Sequence, residues 1–351
     1  MHRSRFTALL AVAAVACAGL LTGCGSGSGS IAGAKVGIDF PRSDSDFWNS
    51  YNSFVPQKAA GLGVSLLPPT NSGNDIGKLV ANVQSLVTRG AKAIVMAPQD
   101  TGAIKSTLDS LDTKKIPVVS VDTRPDAGKV FMVVRADNKA YGQKACTYLG
   151  ETLHGAGNVV EFQGDLASIN GRDRSEAFAT CMKQNYPKIV VHEVPTQWLA
   201  DKASAGLQTV LSQTNNNIQG IYMQAGGVFL APTIALLKQK GLLKKAGTPG
   251  HIQIVSNDGI KQELSGIASG DIDATVSQPA DTYAYYGLYY AKAALAGRTF
   301  KPGPTDHGST IIQLPNGLED QLPAPLVTLT PQKIGSYQTI ASTDKSLWAN
   351  Q

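Results

Sequence analysis

The sequence is poor in charge and in cysteine for its length. Charged residues make up 16% of the 351 residues, only four residues are cysteine, and the formal net charge is +5. Lysine and arginine are dispersed rather than clustered, so we expect neither nucleic acid nor an anionic surface as a partner. After the first 21 residues, no apolar run reaches the roughly 20 residues that span a bilayer. A chain of this length is expected to divide into two lobes.

Several motifs of enzymes and metal sites are also missing. The sequence has no nucleophile-elbow pattern, no His-Glu-x-x-His and no phosphate-binding glycine loop, and its five histidines are scattered. Asp44 and Asp46 do not form an EF-type calcium loop. We therefore expect no catalytic residue, no cofactor and no metal. One enzyme alternative stays open, because Asp122 and Asp258 are the residue type that a glycosidase uses as paired carboxylates.

The amino terminus has the features of an export signal. A basic start precedes an uncharged run over residues 6–21, which is followed by a Leu-Thr-Gly-Cys motif ending at Cys24. The run is too short for a permanent membrane span, so residues 1–23 are predicted to be a signal peptide. The motif resembles the lipobox of bacterial lipoproteins, in which the cysteine is lipidated; the alternative is an ordinary signal peptide or membrane anchor. Residues 24–34 are predicted to be a flexible Gly/Ser tether outside the cytoplasm.

The cysteines are consistent with this location. Cys17 would be removed with the signal and Cys24 lipidated, which leaves Cys146 and Cys181 as one pair. In an oxidising compartment this pair is predicted to form a disulfide that closes a loop of 35 residues. The alternative is two buried free thiols.

An alternation of apolar strands and amphipathic helices begins at residue 35. Short apolar runs bounded by turn residues predict strands, and apolar residues at spacings of three and four predict helices. The fold class is therefore α/β, with two similar parallel-sheet lobes. The predicted strands are 35–40, 64–67, 93–97, 116–121, 159–162, 189–194, 220–223, 252–256, 274–277 and 309–313. The predicted helices are 47–61, 74–89, 102–113, 139–153, 172–185, 200–213, 229–240, 259–269 and 281–296.

Polar and aromatic residues follow the carboxyl ends of these strands, which is where parallel sheets bind ligands. Carboxylates, carboxamides, arginines and aromatic rings together suit a polyhydroxylated ligand, because charged groups bind hydroxyls and aromatic faces cover C–H surfaces. Taken singly, each residue is equally well explained as a helix cap or turn former. The strand-end residues are Asp39, the loop 42–48, Asp122, Thr123, Arg124, Gln163, Trp198, Gln224, Asn257, Asp258 and Gln278.

From residue 35 to about 297, the chain resembles the type 1 periplasmic binding proteins of sugar ABC transporters, in particular the ribose-binding branch. The order and spacing of several short segments carry this resemblance. They are Asp46-Phe47-Trp48, residues 83–90, 116–122 and 136–138, Gln163-Gly164, residues 171–178, Asn257-Asp258-Gly259 and residues 274–278.

The resemblance implies roles for individual residues. Phe47 and Trp48 correspond to the aromatic pair that stacks on the sugar, and Trp198 corresponds to the aromatic residue on its other side. Asp122, Arg174, Asp258 and Gln278 correspond to residues that hold hydroxyls. The predicted ligand-binding set is Ser45, Phe47, Trp48, Asp122, Thr123, Arg124, Arg174, Trp198, Gln224, Asn257, Asp258 and Gln278.

The chain departs from the ribose-binding pattern at four positions. Ser45, Thr123, Ala225 and Asn257 replace an asparagine, an arginine, an asparagine and an aromatic residue, respectively. Arg124 is expected to substitute for the missing arginine. These departures argue against D-ribose and favour another pentose, a hexose or an acyclic polyol.

The resemblance also implies two lobes joined by a three-segment hinge near residues 135–138, 278–281 and in the tail. We expect residues 35–136 and 279–306 in the first lobe, and residues 137–278 and 307–351 in the second. Arg172 is expected at the surface or in a salt bridge between lobes. The expected protein is a monomer that closes on its sugar and delivers it to ABC permease subunits. The alternative partner is a membrane sensor that reads a sugar-like autoinducer.

Overall fold

The structure, a computed structural model, describes residues 33–351. The predicted signal peptide and Cys24 lie outside the described residues. Two sheets dominated by parallel strands form two lobes with helices packed against them, which confirms the α/β fold class. None of the helices in the described part of the chain combines the length and apolar character that a membrane span requires.

The elements follow the predicted alternation closely. Within residues 33–351 the α-helices are α1 Asp46–Leu62, α2 Ile76–Thr88, α3 Lys105–Thr113, α4 Asn138–Thr152, α5 Ile169–Asn185, α6 Ala200–Gln213, α7 Gly226–Gln239, α8 Lys261–Ser269 and α9 Ala280–Leu295. The strands are β1 Lys35–Phe40, β2 Ser65–Leu66, β3 Thr70–Asn71, β4 Ala91–Met96, β5 Val118–Val121, β6 Met132–Ala136, β7 Ala156–Gln163, β8 Lys188–Pro195, β9 Gly220–Met223, β10 Gln253–Asp258, β11 Ala274–Ser277, β12 Gly303–Pro304, β13 Thr310–Leu314, β14 Gly317–Leu322, β15 Leu326–Thr328, β16 Lys333–Ile334, β17 Tyr337–Gln338 and β18 Ile340–Ala341.

The two lobes share one strand order. In the first sheet the parallel strands run β2-β1-β4-β5-β6, and in the second they run β8-β7-β9-β10-β11. In each sheet the first strand of the lobe lies between the second and the third. Successive strands are therefore added first on one side and then on the other side of β1, and likewise of β7. This change of side leaves a crevice at the carboxyl ends of those strands.

Strand composition follows from burial on both faces of the sheets. Every residue of β5 is buried, and β4 exposes only Lys92. Parallel strands covered by helices read as continuous apolar runs, which is the pattern of both segments. Helix α2 turns an apolar stripe toward the sheet through Leu79, Val83 and Leu86, and the Asp75 carboxylate caps it by accepting from the backbone N–H of Lys78 at 2.8 Å.

The chain crosses between the lobes three times. It passes from β6 to α4, from β11 to α9 and from β14 to β15. Helix α9 returns to the first lobe, where it packs against α1, β4 and β5. The first two crossings lie at the expected positions, and the third lies between Leu322 and Leu326.

One expected boundary is corrected by strand pairing. We expected residues 307–351 to belong to the second lobe, but β14 pairs in parallel with β6 and β13 pairs with β14. Both strands therefore extend the first sheet. The second lobe takes the chain back only at β15, which pairs antiparallel with β11.

Cys146 of α4 and Cys181 of α5 form a disulfide, with their Cα atoms 6.2 Å apart. The two helices are the most closely packed pair in the second lobe. A Cβ at Gly142 would lie 2.3 Å from the carbonyl oxygen of Arg174, so a glycine is needed for this approach. The bridge therefore reinforces the helix that carries Arg174.

Candidate functional site

The largest group of predicted residues meets in one cavity between the lobes, with a volume of about 30 Å³. The cavity lies at the carboxyl ends of both sheets, at the two points where the strand order reverses. Its lining residues are Arg42, Ser45, Phe47, Trp48, Gln99, Asp122, Asn170, Arg174, Trp198, Ala225, Val228, Asp258 and Gln278.

Aromatic side chains form opposite walls of the cavity. Phe47 and Trp48 begin α1 and pack edge to face, with ring centroids 5.2 Å apart. Trp198 comes from the second lobe, in the loop between β8 and α6, and has a left-handed backbone with φ of 59°. A Cβ at Gly164 would lie 2.0 Å from the Trp198 ring, so the glycine lets the indole lie flat against the chain. The indole Nε1 of Trp198 is buried and has no hydrogen-bond partner.

Arg174 projects from α5 into the centre of the site and is almost fully buried. Its Nε donates to Asn138 Oδ1 at 2.7 Å, and its Nη1 donates to the carbonyl oxygen of Gln224. Its guanidinium lies 4.8 Å from the Tyr141 ring centroid and 5.8 Å from that of Trp198. These contacts hold the guanidinium in one orientation, which favours recognition of a ligand with fixed geometry.

Asp258 is held equally firmly at the end of β10. Its Oδ1 accepts from Gln278 Nε2 at 2.6 Å, and its Oδ2 accepts from the backbone N–H of Gly227 at 2.8 Å. The second contact caps the start of α7. Asp258 therefore acts as a helix cap, the alternative role considered above, and also lines the cavity. Asp258 has φ of 118°, and such a strained backbone persists only where the surroundings fix it.

Asp122 connects the two lobes. It follows β5 in the first lobe, and its Oδ2 accepts from Asn170 Nδ2 of the second lobe at 2.9 Å. Asn170 Oδ1 in turn accepts from Arg135 Nη2 at 2.8 Å, and Arg135 also pairs with Asp173. The other carboxylate oxygen of Asp122, Oδ1, is buried without a partner. A chain of hydrogen bonds therefore connects Arg135, at the first crossing, with Asp122, which lines the cavity.

Burial sets the charge state of the two acids. It raises the pKa of Asp122 to about 6 and that of Asp258 to about 7, against the opposing positive charge of Arg174. At neutral pH Asp258 is therefore close to its protonation midpoint, whereas Asp122 is mostly ionised. A ligand that donates hydroxyl hydrogens would favour the ionised forms.

Contacts between the lobes surround the cavity. Arg42 Nη1 donates to the carbonyl oxygen of Trp198 at 3.2 Å. A Cβ at Gly227 would lie 2.9 Å from Ser45 Oγ, so the lobes touch closely there. Arg172 Nη2 pairs with Asp126 Oδ1 at 2.6 Å across the rim, as expected for a residue in a salt bridge between lobes.

Eight of the twelve predicted ligand residues line the cavity and four do not. Asn257 precedes Asp258 in β10, so its side chain points to the opposite face and donates to the Tyr222 hydroxyl at 3.1 Å. Gln224 is buried behind Arg174, where it donates to Glu161 Oε1 at 2.8 Å. Thr123 and Arg124 lie beyond the turn at Asp122. Arg124, which we expected to substitute for the missing arginine, does not line the cavity, whereas Arg42 and Arg174 do.

Five lining residues were not in the predicted set. Arg42 lies in the loop after β1, and Gln99 follows β4. Asn170 lies in the first turn of α5, just before residues 171–178, whose resemblance to the family suggested Arg174. The strand-end rule covers the first two positions, and Asn170 is within four residues of Arg174 on one helix. The remaining two are Ala225 and Val228 at the start of α7.

Comparison with known proteins places the chain in a family. A family model described as "Periplasmic binding protein domain" matches residues 36–299, so the chain belongs to this family. The resemblance to type 1 sugar-binding proteins of this family is confirmed, and the family implies a location outside the cytoplasm.

Two curated relatives cover most of the chain. A xylitol-binding protein of Mycolicibacterium smegmatis is 27% identical over 302 residues, which is 84% of this chain and 82% of the relative. A ribose import binding protein of Haemophilus influenzae is 24% identical over 278 residues, which is 79% of this chain and 91% of the relative. Among solved structures, an ABC transporter solute-binding protein from Mycobacterium smegmatis with bound glycerol matches with a TM-score of 0.69. It is 24% identical and covers 76% of this chain and 90% of its own. This structural likeness shows the shared fold.

Proposed function

We propose that this protein is a lipid-anchored substrate-binding protein of an ABC importer that binds a monosaccharide or sugar alcohol between its lobes. One observation carries the proposal: Trp48 and Trp198 reach one cavity from opposite lobes, together with two buried carboxylates and Arg174. Two curated relatives are named as a xylitol-binding protein and a ribose import binding protein, and these names support the same ligand class.

Two residues that line the cavity each have an unpaired polar atom that a hydroxyl group could satisfy. Asp122 Oδ1 needs a donor and Trp198 Nε1 needs an acceptor, and both are buried. A hydroxyl supplies both functions, and leaving such groups unpaired costs about 1–3 kcal/mol each. A vicinal diol or a chain of hydroxyls would satisfy several of these groups together.

The charges of the cavity favour a neutral ligand. Arg174 is balanced by Asp122 and Asp258, whose pKa values respond to its charge. Arg42 already pairs with Asp44, with Nη2 2.8 Å from Oδ2. Neither of the two lining arginines is left to neutralise a ligand carboxylate or phosphate. A sugar acid or sugar phosphate would therefore bind less well than a neutral sugar or polyol.

The ligand class is tested by a thermal-shift screen against pentoses, hexoses and C4–C6 polyols, followed by calorimetry on the hits. A ligand at a thousandfold excess over its Kd stabilises the fold by about 4 kcal/mol. Asp258→Asn should abolish the shift, whereas the matched surface variant Asp109→Asn should retain it. The proposal fails if no member of the panel stabilises the parent, or if Asp258→Asn responds as the parent does.

The lipid anchor is tested separately, through Cys24. The full chain expressed in a bacterial host should sediment with membranes and carry a lipid on the cysteine, as mass spectrometry would show. The Cys24→Ser variant should keep the same fold but appear in the soluble fraction. Equal partitioning of the two proteins would rule out the anchor and leave the ligand proposal intact.

A further inference from the structure

The carboxyl-terminal strap, defined as residues 342–351, lies beyond the residues that the family model matches. It is anchored on the second lobe, where the backbone N–H of Ser342 donates to the carbonyl oxygen of Thr328 in β15 at 2.8 Å. Asn350 Nδ2 fastens the strap to itself by donating to the carbonyl oxygens of Ser342 and Asp344 at 2.9 and 2.8 Å. Leu347 is buried in the apolar core of the second lobe.

Trp348 extends from this strap to the first lobe and is only 6% exposed. Its ring packs edge to face against Phe47 and Phe54, with centroids 6.2 and 6.4 Å away. Both phenylalanines belong to α1, two turns apart on one face. The Trp348 indole Nε1 also points to the carbonyl oxygen of Asp258 at 3.4 Å. One side chain therefore contacts the helix that carries the aromatic wall and the strand that carries the buried acid.

We propose that Trp348 is a positioning residue that holds the cleft closed, because it belongs to the second lobe and packs behind Phe47 of the first. This inference rests on the proposed function, since its consequence is tighter binding of the ligand in the cleft. When the lobes separate, Trp348 must leave Phe47 and Phe54, and the aromatic contacts between them are lost. The strap therefore biases the ligand-free protein toward the closed state and slows release of the ligand.

The test uses two variants that remove the same contact from opposite lobes. Trp348→Ala and Phe54→Ala should each weaken the affinity for the best hit of the sugar and polyol screen by about tenfold, mainly through faster dissociation. Neither residue lines the cavity, so a purely structural role would lower the melting temperature and leave the Kd unchanged. Trp348→Phe should restore most of the affinity. The double variant should bind about as weakly as Trp348→Ala alone, because that single variant already removes the contact with Phe54.

A readout without ligand separates this inference from the proposed function. Small-angle scattering of the ligand-free protein should give a larger radius of gyration for Trp348→Ala and Phe54→Ala than for the parent. Lys345→Ala, an exposed residue of the same strap, should leave both scattering and affinity unchanged. If the parent binds no member of the panel, the proposed function fails while the scattering result still tests the strap. If the parent binds but both variants match it in Kd and scattering, the inference is overturned.

Discussion

The two walls of the cleft differ in how their polar groups are held. On the second lobe, Arg174, Asp258 and Gln278 are bonded within their own lobe, through Asn138, Gly227 and one another. On the first lobe, Asp122 and Arg42 bond across the cavity, although Arg42 also pairs with Asp44, and Gln99 bonds to Ala97 within the lobe. Asp122 accepts from Asn170, and Arg42 donates to Trp198.

This difference assigns distinct tasks to the lobes. A network satisfied within one lobe persists when the lobes separate, so the second lobe offers a prearranged surface to an arriving ligand. Bonds across the cleft form only in the closed state, so the first lobe contributes chiefly to closure. Ligand recognition and lobe closure should therefore respond to different substitutions.

The largest effect is expected from a matched pair of arginines, one from each wall. Arg174→Met should weaken ligand affinity at least 100-fold, because it leaves Asp122 and Asp258 buried without their common counter-charge. Arg42→Met should weaken it by about tenfold, since Arg42 contributes one hydrogen bond to a backbone carbonyl. Calorimetry on both variants gives the two Kd values. Equal losses, or a greater loss for Arg42→Met, would contradict the division between the walls.

Two adjacent glycines separate closure from folding. A Cβ at Gly227 would meet Ser45 Oγ at 2.9 Å, across the cleft, whereas one at Gly226 would meet Glu263 Oε1 at 2.0 Å, within the second lobe. Gly227→Ala should therefore weaken affinity on the order of 30-fold by wedging the lobes apart, with little change in melting temperature. Gly226→Ala should lower the melting temperature instead.

These two variants are scored by calorimetry with the ligand and by thermal unfolding without it. Scattering on ligand-free Gly227→Ala should show a more open particle than the parent. If the loss of affinity were proportional to the loss of melting temperature in both glycine variants, the proposed separation of closure from folding would be wrong.

Most of the fold was predictable because burial leaves a periodic trace in sequence. The bounds of β1, β9, β11 and α6 match the predicted ranges to the residue. The tail was predicted only in part. The strand expected at 309–313 is present as β13, but its place in the first sheet depends on β14, whose partner β6 lies nearly 200 residues earlier and leaves no local pattern. β6 was not among the predicted strands, and its last two residues fall in the expected hinge segment 135–138, although all five of its residues are buried.

The site was predictable to the level of strand ends but not of side-chain direction. Asp258 and Asn257 both follow the rule for parallel sheets, yet a strand turns only one of two neighbours toward the cavity. The backbone at Asp122 is likewise left-handed, with φ of 63°. Asp122 lines the cavity, whereas Arg124, two residues further on, does not. Trp348 gave no signal, because its role depends on where the tail returns to the body of the protein.

The pH dependence of binding follows from the two buried acids. Their pKa values of about 6 and about 7 mean that lowering the pH from 7.5 to 5.5 protonates acceptors that the ligand needs. Affinity should fall by at least about tenfold over this range, because proton and ligand compete for the same oxygens. Calorimetry at four pH values measures this, and Asp122→Asn should reduce the slope.

The ligand-free protein should show the opposite trend in stability. Both folded-state pKa values lie above the ordinary value of 3.8 for an aspartate, so the folded state binds protons more tightly than the unfolded chain. The free energy of unfolding should therefore decrease as the pH rises from about 4 to about 7. Denaturant titrations across this range check the sign, and stability that increases with pH would show that these acids are better solvated than the cavity implies.

The smallest effect is expected at the rim, where Arg172 of the second lobe pairs with Asp126 of the first. The two side chains are 29% and 38% exposed, so solvent screens their attraction and the pair contributes less than about 1 kcal/mol. Arg172→Ala should weaken ligand affinity less than fivefold, and this loss should shrink further in high salt. Lys105→Ala is the matched control, because its partner Asp109 lies on the same helix of the same lobe. Removing that pair should leave affinity unchanged, since it is equally present whether the cleft is open or closed. If Arg172→Ala weakened ligand affinity as much as Arg42→Met does, contacts at the rim would stabilise the closed state as strongly as contacts at the cavity wall.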